Sequence, residues 1–261
     1  MPFTLSHAAA AIPFRRTRLI MSAMVMGCFV PDFPHFTPLS PRISLSHTVA
    51  GMFVLDLPLG FAALWLFHFI LKEPMLLFLP GGMRRRLRTS VDSFAFWPWE
   101  RLGLIVLSIL AGTTTHLLWD AFTHRDSWIY EHWAFLRGWV HLPVTGAMQI
   151  TTLLEYGSSV FGVLVVAFWI WHWYGTTRPL AAPAARPLAG GQRRAFVVLL
   201  PALALLGGAM RAYRVDGIEM QIRAVVHFTT DMLISAITIF LLELLVSGVI
   251  LRRQRAVPVG V

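Results

Sequence analysis

His116, Asp120 and His124 stand four residues apart in "THLLWDAFTH" (residues 115–124), at the end of an apolar run. On a helix such positions share one face, so two imidazoles and a carboxylate line up along a single stripe. Neutral imidazole nitrogens and carboxylate oxygens are donors for zinc, manganese or iron. An ionisable pair such as His116 and Asp120 inside an apolar segment is costly unless partnered, which makes function the first hypothesis for it. A structural His–Asp hydrogen bond between helices is the competing reading.

Three other stretches carry matching donors: His7 in "TLSHAA", Asp32 in "VPDFPHF" and His47 in "SLSHTV". Pro31 and Pro34 hold the chain extended around Asp32, because proline fixes its own φ and biases the preceding residue away from helix. His47 directly precedes an apolar run, at the depth expected for His124. The expected cluster is therefore His7, Asp32, His47, His116, Asp120 and His124, six donors that suffice for two divalent ions. Asp32, on a loop and free to share its carboxylate, is the choice for a bridging ligand or for the base that orients a water. Asp56, deeper in an apolar run, either orients a ligand histidine or bonds to a neighbouring helix. His227 and Asp231 repeat the H-x-x-x-D spacing, but Arg223 can pair with Asp231 without a metal. Glu155, His35 and His132 are further candidate donors, whereas His68, His141 and His172 lack a carboxylate at helical spacing and read as interfacial.

The elements that must position these residues follow from composition. Of 261 residues, 56% are hydrophobic and 13% charged, and the mean hydropathy is +0.65, which is the composition of an integral membrane protein. The net charge of +9 is not a nucleic-acid signature, because no basic face or nucleic-acid motif accompanies it. Cys28 is the single cysteine, so no intrachain disulfide forms. The N-terminus lacks the basic-then-apolar order of a cleavable signal peptide. Against the roughly 20 residues that a crossing requires, five spans are expected at 48–71, 102–123, 150–174, 195–213 and 225–251. Arginines gather between spans one and two, between spans three and four, and after span five. These regions fall on one side under a five-span count, which places them and the C-terminus in the cytoplasm and His124 outside.

Segments 4–13 and 19–30 are too short to cross and are expected to form a helical hairpin, with Thr4 or Ser6 as the first N-cap and Pro13 near its end. The hairpin returns Val30 to the neighbourhood of His7, so that His7 and Asp32 share a site. The alternative is a tilted sixth span over 12–30, which would carry His7 away from Asp32. The fold class is thus an all-α polytopic membrane bundle of five spans, or six, with a short N-terminal hairpin. It is read as a single integral membrane domain over 1–261: a motif-bearing part at 1–174, a cytoplasmic linker at 175–194 and two C-terminal spans at 195–261.

"PFTLSHAAAAIPF", "VPDFPHF", "SHTVAGMFVLDLPLG" and "HLLWDAFTH", in that order, resemble an uncharacterised family of bacterial membrane proteins known as a domain of unknown function. That family is similar to the LexA-regulated membrane-bound metal-dependent hydrolases, and distantly to the zinc-dependent phospholipase C and nuclease superfamily. The resemblance implies a bacterial inner-membrane location, a helical fold binding up to three zinc ions, and the same six ligands. The soluble enzymes of that superfamily complete their site with an H-x-x-x-E pair, and Glu155 here has no histidine four residues before it. The expected activity is hydrolysis of a phosphate ester at the outer membrane–water interface, with a lipid phosphate or another envelope molecule as substrate. The non-catalytic alternatives are a structural metal, a His/Asp hydrogen-bond cluster, or a path for metal ions or protons.

Overall fold

The computed structural model describes residues 3–36, 43–91, 94–143, 146–179, 190–217 and 222–256. Residues 180–189 of the expected linker at 175–194, and the side chains of Arg223 and His227, lie outside the described residues. The chain is mostly helical, and five helices are long and apolar enough to cross a membrane: Val49–Phe78, Trp99–His132, Ile150–Thr176, Arg193–Val215 and Phe228–Arg253. These five spans are the signature of a multi-pass membrane protein. Residues 12–30 form no sixth.

Contacts group the chain into two compact units: Met1–Pro34, Pro41–Leu64 and Ala95–Thr176 in one, and His35–Ser40, Trp65–Phe94 and Thr177–Val261 in the other. In the first unit the N-terminal hairpin is present. Thr4–Arg16 winds as a 3-10 helix and Met21–Phe29 as an α-helix. Neither Thr4 nor Ser6 caps the first helix, and it runs past Pro13 to Arg16. The Thr4 hydroxyl instead donates to the Asp32 carboxylate at 2.6 Å, since a charged acceptor outcompetes a backbone group. Ser6 Oγ donates to the Phe3 carbonyl at 2.6 Å.

Small residues set how closely the hairpin meets the second span, as they do between membrane helices generally. A Cβ on Gly112 would collide with the Met24 carbonyl oxygen, and one on Gly27 with that of Ile109. Ser108 Oγ accepts from the Ile20 N–H at 2.8 Å. The 3-10 helix packs on the third span, where Gly162 gives it room against Ser6 and Ser159 Oγ accepts the Phe3 N–H at 2.9 Å.

The first span contains a widened turn at Met52–Asp56, closed by the Leu57 N–H on the Met52 carbonyl. Pro58, just beyond it, has no N–H for the carbonyl four residues back and would press its ring against it. A π-turn relieves that conflict. Beyond Thr123, where the long helix of the second span ends, the chain holds a one-turn helix, Trp128–His132, and then an antiparallel hairpin of Trp139–Leu142 with Gly146–Gln149. Gly146 supplies the positive φ of 74° that the turn needs. Thr151 Oγ1 anchors this segment by donating to the carbonyl of buried Leu136 at 2.6 Å.

In the second unit, Gly190–Asp216 and Ile222–Ala256 pack along their length, with Gly208 against Ala236. Arg193 donates to the carbonyls of Leu77 and Leu79 at 2.9 and 3.0 Å, satisfying groups that the end of a helix leaves open.

Candidate metal centre

All six expected donors lie in the first unit. A 3-10 helix has three residues per turn, so Thr4 and His7 eclipse one another on one face. That face meets Asp32 and Asp120. His116 and Asp120 come from the second span, and His124 follows where that helix ends. Asp32 is delivered by the 3-10 turn Val30–Phe36, and His47 by the turn before the first span.

Asp120 is the hub. Its Oδ2 lies 3.2 Å from His116 Nε2, 3.3 Å from His47 Nε2 and 3.7 Å from His124 Nδ1, while its Oδ1 lies 3.5 Å from His7 Nε2. Asp32 Oδ1 is 3.6 Å from His116 Nε2 and 3.8 Å from His47 Nε2. Asp32, His47, His116 and Asp120 each offer one donor atom, and all four lie within 4.8 Å of one another. This group can hold a metal ion.

Hydrogen bonds behind the rings fix which nitrogen faces inward. His116 Nδ1 is 2.7 Å from the Cys28 carbonyl, which only accepts, so Nδ1 carries the hydrogen and Nε2 turns a lone pair to the carboxylates. Ser46 donates its hydroxyl hydrogen to the Pro31 carbonyl at 2.8 Å and lies 3.1 Å from His47 Nδ1, an arrangement that gives His47 the same tautomer. In the neutral rings, lone pairs of Nε2 therefore face carboxylate oxygens with no hydrogen between them. His116 Nε2, both oxygens of Asp120 and Asp32 Oδ1 are buried without a hydrogen-bond partner among the described residues. Such an arrangement is repulsive until a cation enters it.

The spacing fits a cation. Two donors about 2.1 Å from a tetrahedral zinc ion lie about 3.4 Å apart, whereas a hydrogen bond brings them to about 2.7–3.2 Å. The four His–Asp separations within the group run from 3.2 to 3.8 Å. His7 stacks on His116 with ring centroids 4.0 Å apart and meets the edge of Trp119 at 5.2 Å. Burial, and after it the neighbouring His116, push the His7 imidazole down to about 3, so it stays neutral at ordinary pH. His7, Asp32, His116 and Asp120 are buried, while the side chains of His47 and His124 keep 22% exposure and form the open edge of the site.

The other candidates fall elsewhere or carry other partners. His132 stacks on Trp128, its Nδ1 at 2.9 Å from the Trp128 carbonyl, and His141 is exposed on its strand. His68 stacks on Phe94 and His172 on Phe168. The supporting groups, Thr4, Ser46 and the Cys28 carbonyl, were not among the expected site residues. A hydroxyl or backbone oxygen carries no sequence signal until its neighbours in space are known.

No curated protein and no solved structure matches the chain. Residues 1–249 match the model of a domain of unknown function, DUF4184, and the chain belongs to that family.

Proposed function

We propose that the protein is a membrane-bound metal-dependent hydrolase acting on a phosphate ester at the outer membrane–water interface. The observation that carries this reading is the set of inward-facing Nε2 and carboxylate atoms spaced as edges of a coordination shell. Asp32, His47, His116 and Asp120 hold the ion, zinc or else manganese or iron, and His7 and His124 extend the shell. Bound there, a divalent ion supplies Lewis acidity toward a phosphoryl oxygen and lowers the pKa of a coordinated water toward neutrality.

The chain's own residues do the rest. Asp120, with imidazoles on both oxygens, is placed to bridge two positions. Asp32, its Oδ2 held by Thr4, presents Oδ1 inward to orient the attacking water and take its proton. The half-exposed edge at His47 and His124 admits the substrate, while buried His7, with Trp119 against its ring, closes another side. The arginine-rich loops favour the cytoplasm for the opposite end of the spans and for the C-terminus, which puts the site at the outer face of a bacterial inner membrane. A lipid phosphate fits that location.

The test is metal content by mass spectrometry on detergent-purified protein, beside a His116→Ala/Asp120→Ala double variant. Bound zinc or manganese in the wild type and none in the variant, together with phosphate-ester hydrolysis that follows the metal, supports the reading. Two folded proteins that are both metal-free refute it.

A further inference from the structure

Asp56 has no place in the centre so far described. It is wholly buried, and neither carboxylate oxygen has a hydrogen-bond partner among the described residues. A lone carboxylate inside a membrane span is among the costliest groups a protein can carry. Its position explains where compensation comes from. The first and second spans touch where Gly60 meets Ile109, a Cβ on Gly60 lying 2.8 Å from Ile109 Cγ2. They run in opposite directions there, because His47 precedes one and His124 ends the other, and His47 and His124 stand with ring centroids 6.1 Å apart.

One turn back from this contact, Asp56 comes level with Thr113, and His116 lies less than a turn beyond it. Side chains tilt toward the N-terminus of their helix. In antiparallel helices this turns Asp56 toward the centre and His116 toward Asp56. The turn Met52–Asp56 packs on the second span, and Asp56 is within electrostatic reach of His47 and His116.

We propose that Asp56 is a ligand of a second metal ion bound beside the first, making the centre dinuclear. This rests on the reading of the cluster as a metal site. Asp32, Asp56 and Asp120 are the three buried carboxylates among the described residues. One divalent ion leaves them a net negative charge in a low-dielectric interior. Two leave a net positive charge, which an anionic phosphate ester matches.

The experiment counts metal per chain in the full-length protein, purified in detergent and loaded with zinc alone. Two equivalents in the wild type and one in a folded Asp56→Asn variant are expected. Two in both, one in both, or loss of both ions from Asp56→Asn overturns the assignment. No metal in the wild type overturns the hydrolase reading along with it. Asp56→Cys loaded with cobalt(II) tests coordination independently of folding losses. A thiolate-to-cobalt charge-transfer band appears if residue 56 is a ligand, against a wild type whose Cys28 is committed elsewhere. A folded, cobalt-loaded variant without the band overturns the assignment.

Discussion

Gly112→Ala tests whether close packing of the hairpin on the second span sets up the metal centre. A Cβ at position 112 would collide with the Met24 carbonyl oxygen and lie 2.8 Å from Cys28 N and 2.9 Å from the Gly27 carbonyl carbon. Relieving only the Cys28 contact requires the two helices to part by about 0.7 Å, since heavy atoms rest about 3.5 Å apart. The same movement stretches the 2.7 Å bond between His116 Nδ1 and the Cys28 carbonyl past the hydrogen-bonding range. Overpacking costs about 1–3 kcal/mol and the lost bond about 1 kcal/mol. A ligand histidine without its backbone anchor weakens metal affinity about 10- to 100-fold. Gly103→Ala is the control: it lies on the same helix with nothing within 4 Å of the added carbon, and it should stabilise by about 0.5–1 kcal/mol. Denaturant unfolding and zinc titration of both variants make the comparison. If Gly112→Ala matches Gly103→Ala in stability and in zinc affinity, the packing does not position the centre.

Acid should destabilise the metal-free protein through His7. Its imidazole stays neutral to about 3 in the folded chain but protonates below 6.5 when unfolded, so stability falls as pH drops from 6.5 toward 3. The slope is about 1.4 kcal/mol per pH unit for this one proton. His7→Phe should flatten the profile over that window, and an unchanged slope refutes the assignment. Thr4→Val removes a 2.6 Å bond to Asp32 from a charged acceptor, which should cost about 1.5–3 kcal/mol and weaken zinc binding. If binding stays at the wild-type level, Thr4 does not hold Asp32 for the ion.

The spans and the stripe of His116, Asp120 and His124 were readable from the sequence, because apolar length and a four-residue repeat are properties of a single element. Bringing the segments of His7 and Asp32 to the same side of Asp120 and His116 needed the hairpin, and the brevity of both segments pointed to it. The role of Thr4 was hidden because a threonine at the start of a helix reads as a cap, and its acceptor, Asp32, is 28 residues away in sequence. The turn at Met52–Asp56 is rare enough that Pro58 alone did not announce it. Trp139–Leu142 alternates between exposed and half-buried, but four residues are too few for a period of two to be recognised. Gly27 and Gly112 were visible as small residues in apolar helices, yet only the opposing backbone identifies which glycines are contacts.

The long reach of the hairpin's contacts bears on how the protein is made. Cys28 and His116 are 88 residues apart in sequence, and Phe3 and Ser159 are 156 apart. During synthesis the hairpin emerges before the spans, carrying His7 and Asp32 before His47, His116 and Asp120 exist. It must wait at the membrane through the insertion of two spans and is clamped only when the third arrives. A chain stalled before that point leaves polar groups unsheltered at the membrane, where each is costly without its partners.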